Sequence, residues 1–158
     1  MQRTTIRIEN ALQRENDMHQ KKEFMEMIGE TISMVQTLEC DLKWIYAAIM
    51  KGEMMDNFNI VASWTLGSTI KALEDLDKTD EDRILTDDDY HMLRHINHMR
   101  NEIVHHSFVR FLYTDKQYDS KEFLLVDQEV SSFYQQLLVF SRVMERIRFD
   151  VLHRYGRM

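Results

Sequence analysis

Proline is absent from this chain of 158 residues, and glycine occurs only four times. Without the residue that breaks helices most strongly, and with so few that favour tight turns, long helices are allowed and hairpin turns are scarce. A single cysteine, Cys40, excludes an internal disulfide. The first twenty residues also lack an apolar run resembling a signal peptide, so the expected location is a reducing cytoplasm. No stretch holds the roughly 18–20 uninterrupted apolar residues that a spanning helix needs, so no membrane segment is expected. What remains is 44% hydrophobic and 30% charged, the composition of one all-α domain of ordinary size.

The net charge of −7 is a local property. Between Glu74 and Asp89 nine acids face only Lys78 and Arg83, and the rest of the chain holds eighteen acids and eighteen bases. An anionic ligand is therefore not excluded elsewhere on the surface, and nothing marks a strongly basic nucleic-acid binder.

Residues 1–16 are polar with scattered apolar positions and are expected to form an N-terminal tail or arm, or a helix ordered by a partner. Residues 17–158 are expected to form a single bundle. From Asp17, Phe24, Ile28, Thr31, Val35, Leu38, Leu42, Ile45 and Ile49 alternate by four and three, the stripe of a long helix ending near Lys51-Gly52. A second helix is predicted over Asn57–Leu76 with Leu66, Ile70 and Leu73 inward, and Gly67 marks a close approach to a neighbour. Thr86 and the carboxylates of Asp87, Asp88 and Asp89 read as a helix start rather than a cation loop, since the calcium-loop glycine is missing. A third helix spans Asp87–Phe108. Val109–Val126 reads as a loop or short irregular hairpin, and a final helix covers Asp127–Arg154. The sum is an all-α, antiparallel bundle of four or five helices.

The chemistry-bearing stretch is Tyr90–Phe108. At about 100° per residue, Leu93, Ile96, Ile103 and Val104 form an inward face with Arg100 among them. A buried guanidinium without partners costs several kcal/mol, so Arg100 needs a carboxylate, carbonyl oxygens, a second subunit or an anionic ligand. Asn101 and His105 stand at i and i+4 and can address one groove.

The run Arg100-Asn101-Glu102-Ile103-Val104-His105 resembles the signature of the HEPN superfamily, an Arg and a polar residue followed by His after four intervening positions. Leu93–Met99 and His106-Ser107-Phe108 are similar to its flanks. The resemblance covers Phe24–Arg154 as architecture and Leu93–Phe108 as motif. It implies a helical bundle, often dimeric, and a metal-independent endoribonuclease of toxin–antitoxin, phage-defence or CRISPR systems, with an antitoxin or nucleotidyltransferase as partner. Arg100, Asn101 and His105 are the catalytic residues carried over, with Glu102 and His106 as supporting candidates. Some toxin members carry Tyr two residues after the His, where this chain has Ser107. The implied reaction is attack of an RNA 2′-hydroxyl on the adjacent phosphorus, leaving a 2′,3′-cyclic phosphate and a 5′-hydroxyl. An imidazole suits such proton transfer near neutrality, a guanidinium suits the charge developing on phosphorus, and Asn101 would orient the His105 ring or the phosphate.

On a straight helix Arg100 and His105 diverge by about 140°, so a homodimer facing two copies across a shared cleft is expected. Arg142, Arg146, Arg148 and Arg154 of the final helix would flank that cleft and attract an RNA backbone. The competing reading is a non-catalytic interaction or nucleotide/RNA-binding module, in which Arg100 ties helices through Glu39 or Asp41. His91, His95, His98, Glu102 and His105 also share one helical face. His91 and His105 lie about 21 Å apart along the axis, so at most two neighbours chelate one ion, and no metal or cofactor is expected. Cys40 reads as a core or surface residue rather than a nucleophile.

Overall fold

The computed structural model describes residues 2–79 and 82–157, with side chains described from residue 12 onward. Its elements are α1 (Gln2–Ile49), α2 (Met54–Val61), α3 (Leu66–Asp77), α4 (Asp87–His105), α5 (Val109–Leu112), a 3-10 turn (Gln117–Asp119) and α6 (Lys121–Arg154). No strand occurs among the described residues. The all-α helical bundle expected from the composition is what forms.

At 1.5 Å per residue, the 48 residues of α1 extend about 72 Å. The helix begins well before Asp17, so residues 2–16 continue it rather than forming a separate segment. Its inward stripe is the expected one: Phe24, Thr31, Val35, Leu38, Leu42 and Ile45 are buried, with Ile28 and Ile49 at the margin. At its end the buried Asn57 amide donates to the carbonyls of Ala47 (3.1 Å), Met50 (3.1 Å) and Lys51 (3.3 Å), satisfying acceptors that a helix terminus leaves open.

The single helix expected over Asn57–Leu76 is instead two. Helix α2 stops at Val61, and Thr65 caps α3 by accepting from the Ser68 N–H at 3.3 Å. Tertiary partners hold the break open. Lys43 Nζ donates to the freed Ala62 carbonyl at 3.0 Å, and Trp64 packs edge-on against Tyr46.

Helix α3 runs antiparallel to α4, with Asp77 beside Tyr90, Glu74 beside Arg94 and Gly67 beside Asn97. A Cβ at Gly67 would lie 3.3 Å from Asn97 Nδ2, so glycine permits the expected close approach. Thr86 and Asp89 form a reciprocal capping box at the start of α4, the reading given to the acidic run. Val109–Val126 is not a hairpin: Ser120 Oγ accepts from Phe123 N–H at 3.0 Å and starts α6 six residues before Asp127. Phe24, Phe108, Phe111, Tyr118 and Phe123 seal this end of the bundle.

Helices α1 and α6 run parallel, since Met27 meets Ser131, Asp41 meets Arg148 and Met50 meets Arg157. Helix α4 lies antiparallel to α6: His95 packs edge-on against Phe133, and Phe111, just past the end of α4, packs against Phe123.

Candidate functional site

The motif occupies the last two turns of α4. Leu93, Ile96 and Ile103 are buried as expected, and they anchor this stretch to the core. Val104 was expected to join them, yet it is 52% exposed. Helix α3 begins at Leu66, near the level of Asn97, so it does not extend along α4 far enough to cover Val104.

Arg100 is half-buried, and its Nη1 donates to Asn101 Oδ1 at 2.8 Å. No ion pair to Arg100 forms among the described residues. The two carboxylates that would have tied it to α1 are engaged elsewhere. Glu39 pairs with Lys43 at 2.7 Å, and Asp41 lies 3.0 Å from Arg148. Asp41 is buried, and that desolvation raises its carboxyl above the ordinary range even though Arg148 pulls the other way.

The Arg100–Asn101 bond changes the geometry inferred from the helical wheel. Arg100 and His105 leave the axis on different sides, but the long Arg100 side chain turns back onto Asn101. Asn101 is one turn before His105, where side chains are about 5–6 Å apart at Cβ. The guanidinium is thereby drawn toward the histidine's side of α4 within a single chain.

His105 ends α4 and is exposed. His106 follows as the cap, with φ −126° and ψ −24°, and its backbone N–H still bonds Glu102 O at 2.9 Å. The two rings lie 6.2 Å apart at 63°. Glu102, one turn earlier, is half-buried, and its charge helps hold the Arg110 guanidinium above its usual range after the larger effect of the Glu129 hydrogen bond. Ser107 is buried, and its hydroxyl donates to Glu102 O at 3.4 Å.

The remaining expected residues scatter. His95 packs edge-on against Phe133 and lines a groove of about 360 Å³ between α4 and α6, while His91 and His98 are exposed. Among the described residues no group of three His, Cys, Asp or Glu side chains is placed to hold a metal ion. Arg142, Arg146, Arg148 and Arg154 lie in the C-terminal half of α6 and do not flank the motif of their own chain. His95 meets Phe133 and the chain beyond the motif meets Phe123, so Arg142 stands nine residues, about 13.5 Å, past the His95 contact on the side away from the motif. Arg148 is additionally committed to Asp41.

A feature the sequence did not disclose is a groove of about 610 Å³ between α1 and α6. Ser33, Thr37, Cys40 and Ser141 leave this seam open, and the Asp41–Arg148 pair lies at one end. Small residues at i, i+4 and i+7 on α1 and a lone Ser141 on α6 were its only signal, and such spacing does not say which helices will meet. Among the described residues no helix is long and apolar enough to cross a membrane.

No family model matches the chain, and no curated protein or solved structure compared with it gives a match.

Proposed function

We propose that this chain is a metal-independent endoribonuclease that cleaves RNA by 2′-hydroxyl transesterification, with Arg100, Asn101 and His105 as its working residues. The observation that carries the reading is the state of Arg100: a half-buried cation whose side chain rests on a neutral amide, with no carboxylate paired to it among the described residues. Such a cation is available to an anion, and a phosphodiester supplies one. In this scheme His105 takes the proton of the attacking hydroxyl, Arg100 meets the charge developing on the phosphoryl oxygens, and Asn101 holds the guanidinium in place. The resemblance of Arg100–His105 to the HEPN signature supports the same assignment, and a toxin–antitoxin or phage-defence setting belongs to it.

The homodimer is part of the proposal. The Arg100–Asn101 contact reduces the geometric need for two copies, and support now comes from the exposed α4 histidines His91, His95, His98 and His105 and from exposed Leu125, which lines the α4–α6 groove together with His95. Wild type, Arg100→Ala and His105→Ala are to be incubated with mixed RNAs in EDTA, at concentrations where sedimentation equilibrium has fixed the oligomeric state. Each variant is expected to lower cleavage by at least about 10²-fold. RNA binding without cleavage by wild type would replace the enzyme with a binding module, and a cleaving monomer would remove the dimer alone.

A further inference from the structure

Transesterification of RNA moves two protons on opposite sides of phosphorus, one off the 2′-oxygen and one onto the departing 5′-oxygen. A single imidazole next to the attacking oxygen leaves the departing alkoxide unprotonated, and an alkoxide is a poor leaving group. Resting on the ribonuclease reading above, we infer that His106 is a second catalytic residue of the site, the general acid that protonates the 5′-oxygen.

The geometry of the α4 terminus carries this inference. Consecutive residues of a continuous helix diverge by about 100°. Here the helix ends at His105, and His106 lies outside helical geometry. The rings stand 6.2 Å apart, both exposed, and neither is held by a hydrogen bond among the described residues. The attacking and leaving oxygens of an in-line displacement are bridged by catalytic groups about 3.5–4 Å apart in two-metal sites. Ring nitrogens donate or accept at about 2.8–3.0 Å. Two imidazoles at the observed separation can therefore reach both oxygens of one phosphodiester with one hydrogen bond apiece. Glu102 lies one turn before both, and Arg110 on α5 is occupied by Glu129 of α6 rather than by either ring.

The step balances within the pair. His105 accepts the 2′-hydroxyl proton, the 2′-O–P bond forms as the P–5′-O bond breaks, and the proton carried by His106 ends on the 5′-oxygen. A 2′,3′-cyclic phosphate and a 5′-hydroxyl leave, and the two rings regain their starting protonation by exchange with solvent.

Substitution of the leaving atom separates the two roles. The full chain is assayed on an RNA oligonucleotide with its ordinary 5′-oxygen at one linkage, and on the same oligonucleotide with sulfur there, because a thiolate departs without protonation. His106→Ala is expected to slow the oxygen substrate by about 10²–10⁴-fold while staying within about threefold of wild type on the sulfur substrate. His105→Ala is expected to slow both. Rescue on sulfur also shows that His106→Ala is folded. Wild-type rates for His106→Ala on oxygen, or equal slowing on both substrates, would overturn the assignment and leave the ribonuclease reading standing. Failure of wild type to cleave either oligonucleotide would remove both.

Discussion

The Arg100 guanidinium rests on the amide of Asn101, and that choice of neighbour controls whether the cation is free for a ligand. A carboxylate at the same position would occupy it. Asn101→Asp is therefore expected to weaken RNA binding by about tenfold or more, since an ion pair within the chain competes directly with phosphate. Asn101→Ala removes the rest without adding a competitor and is expected to weaken binding less. Equilibrium binding to a non-cleavable 2′-deoxy oligonucleotide reads both, and equal affinity for Asn101→Asp and wild type would show that Arg100 does not meet the backbone. Asp77 shows the opposite arrangement. Fully buried, it accepts from Ile84 N–H (2.7 Å), Leu85 N–H (3.0 Å) and the Tyr90 hydroxyl (2.9 Å), so its charge is consumed in tying α3 to the start of α4. Burial, together with that carboxylate, raises the Tyr90 phenol far above its usual range, which keeps it a donor.

At the level of elements, the short α5 reaches the bundle through its aromatic packing and through the Arg110–Glu129 bridge to α6. The Arg110 hydrogen bond holds the Glu129 carboxyl below its ordinary range. A depressed folded-state value means stability that is present above the unfolded carboxylate value of about 4.3 and lost as pH falls through the folded one. Both side chains are about half-exposed, so solvent screening limits the effect to about 0.2–1 kcal/mol. Arg110→Ala is expected to lower the urea midpoint slightly at neutral pH, with the difference from wild type vanishing near pH 3. A difference that persists undiminished in acid would mean that the arginine acts through packing alone.

In the whole molecule, α1 runs parallel to α6, and Phe24 is where α1 meets the motif end of the fold. It packs edge-on against Phe108, Phe111 and Phe123 at 5.2–5.8 Å between ring centroids and is 1% exposed. Phe24→Ala is expected to cost about 3–5 kcal/mol in chemical denaturation. A loss under about 1 kcal/mol would show that this end collapses around the gap. The sequence alone determined the class of the fold and much of its detail. With no proline and strong 3–4 periodicity, Leu38, Leu42, Leu93, Ile103, Leu137 and Met144 had to line helices, and Thr86 had to start one, because these rules act within a few residues of chain. It also picked out Arg100, Asn101 and His105 as the polar group worth explaining, with Glu102 and His106 as supporting candidates. What only tertiary structure decided were matters between distant segments: the break at Ala62–Thr65 held by Lys43 and Trp64, the exposure of Val104 beyond the end of α3, the capture of Asp41 by Arg148, and the opening of a groove between α1 and α6. Local periodicity fixes which face of a helix is apolar, but not which partner reaches that face or how far along it, and the surroundings of Arg100 are set by that reach.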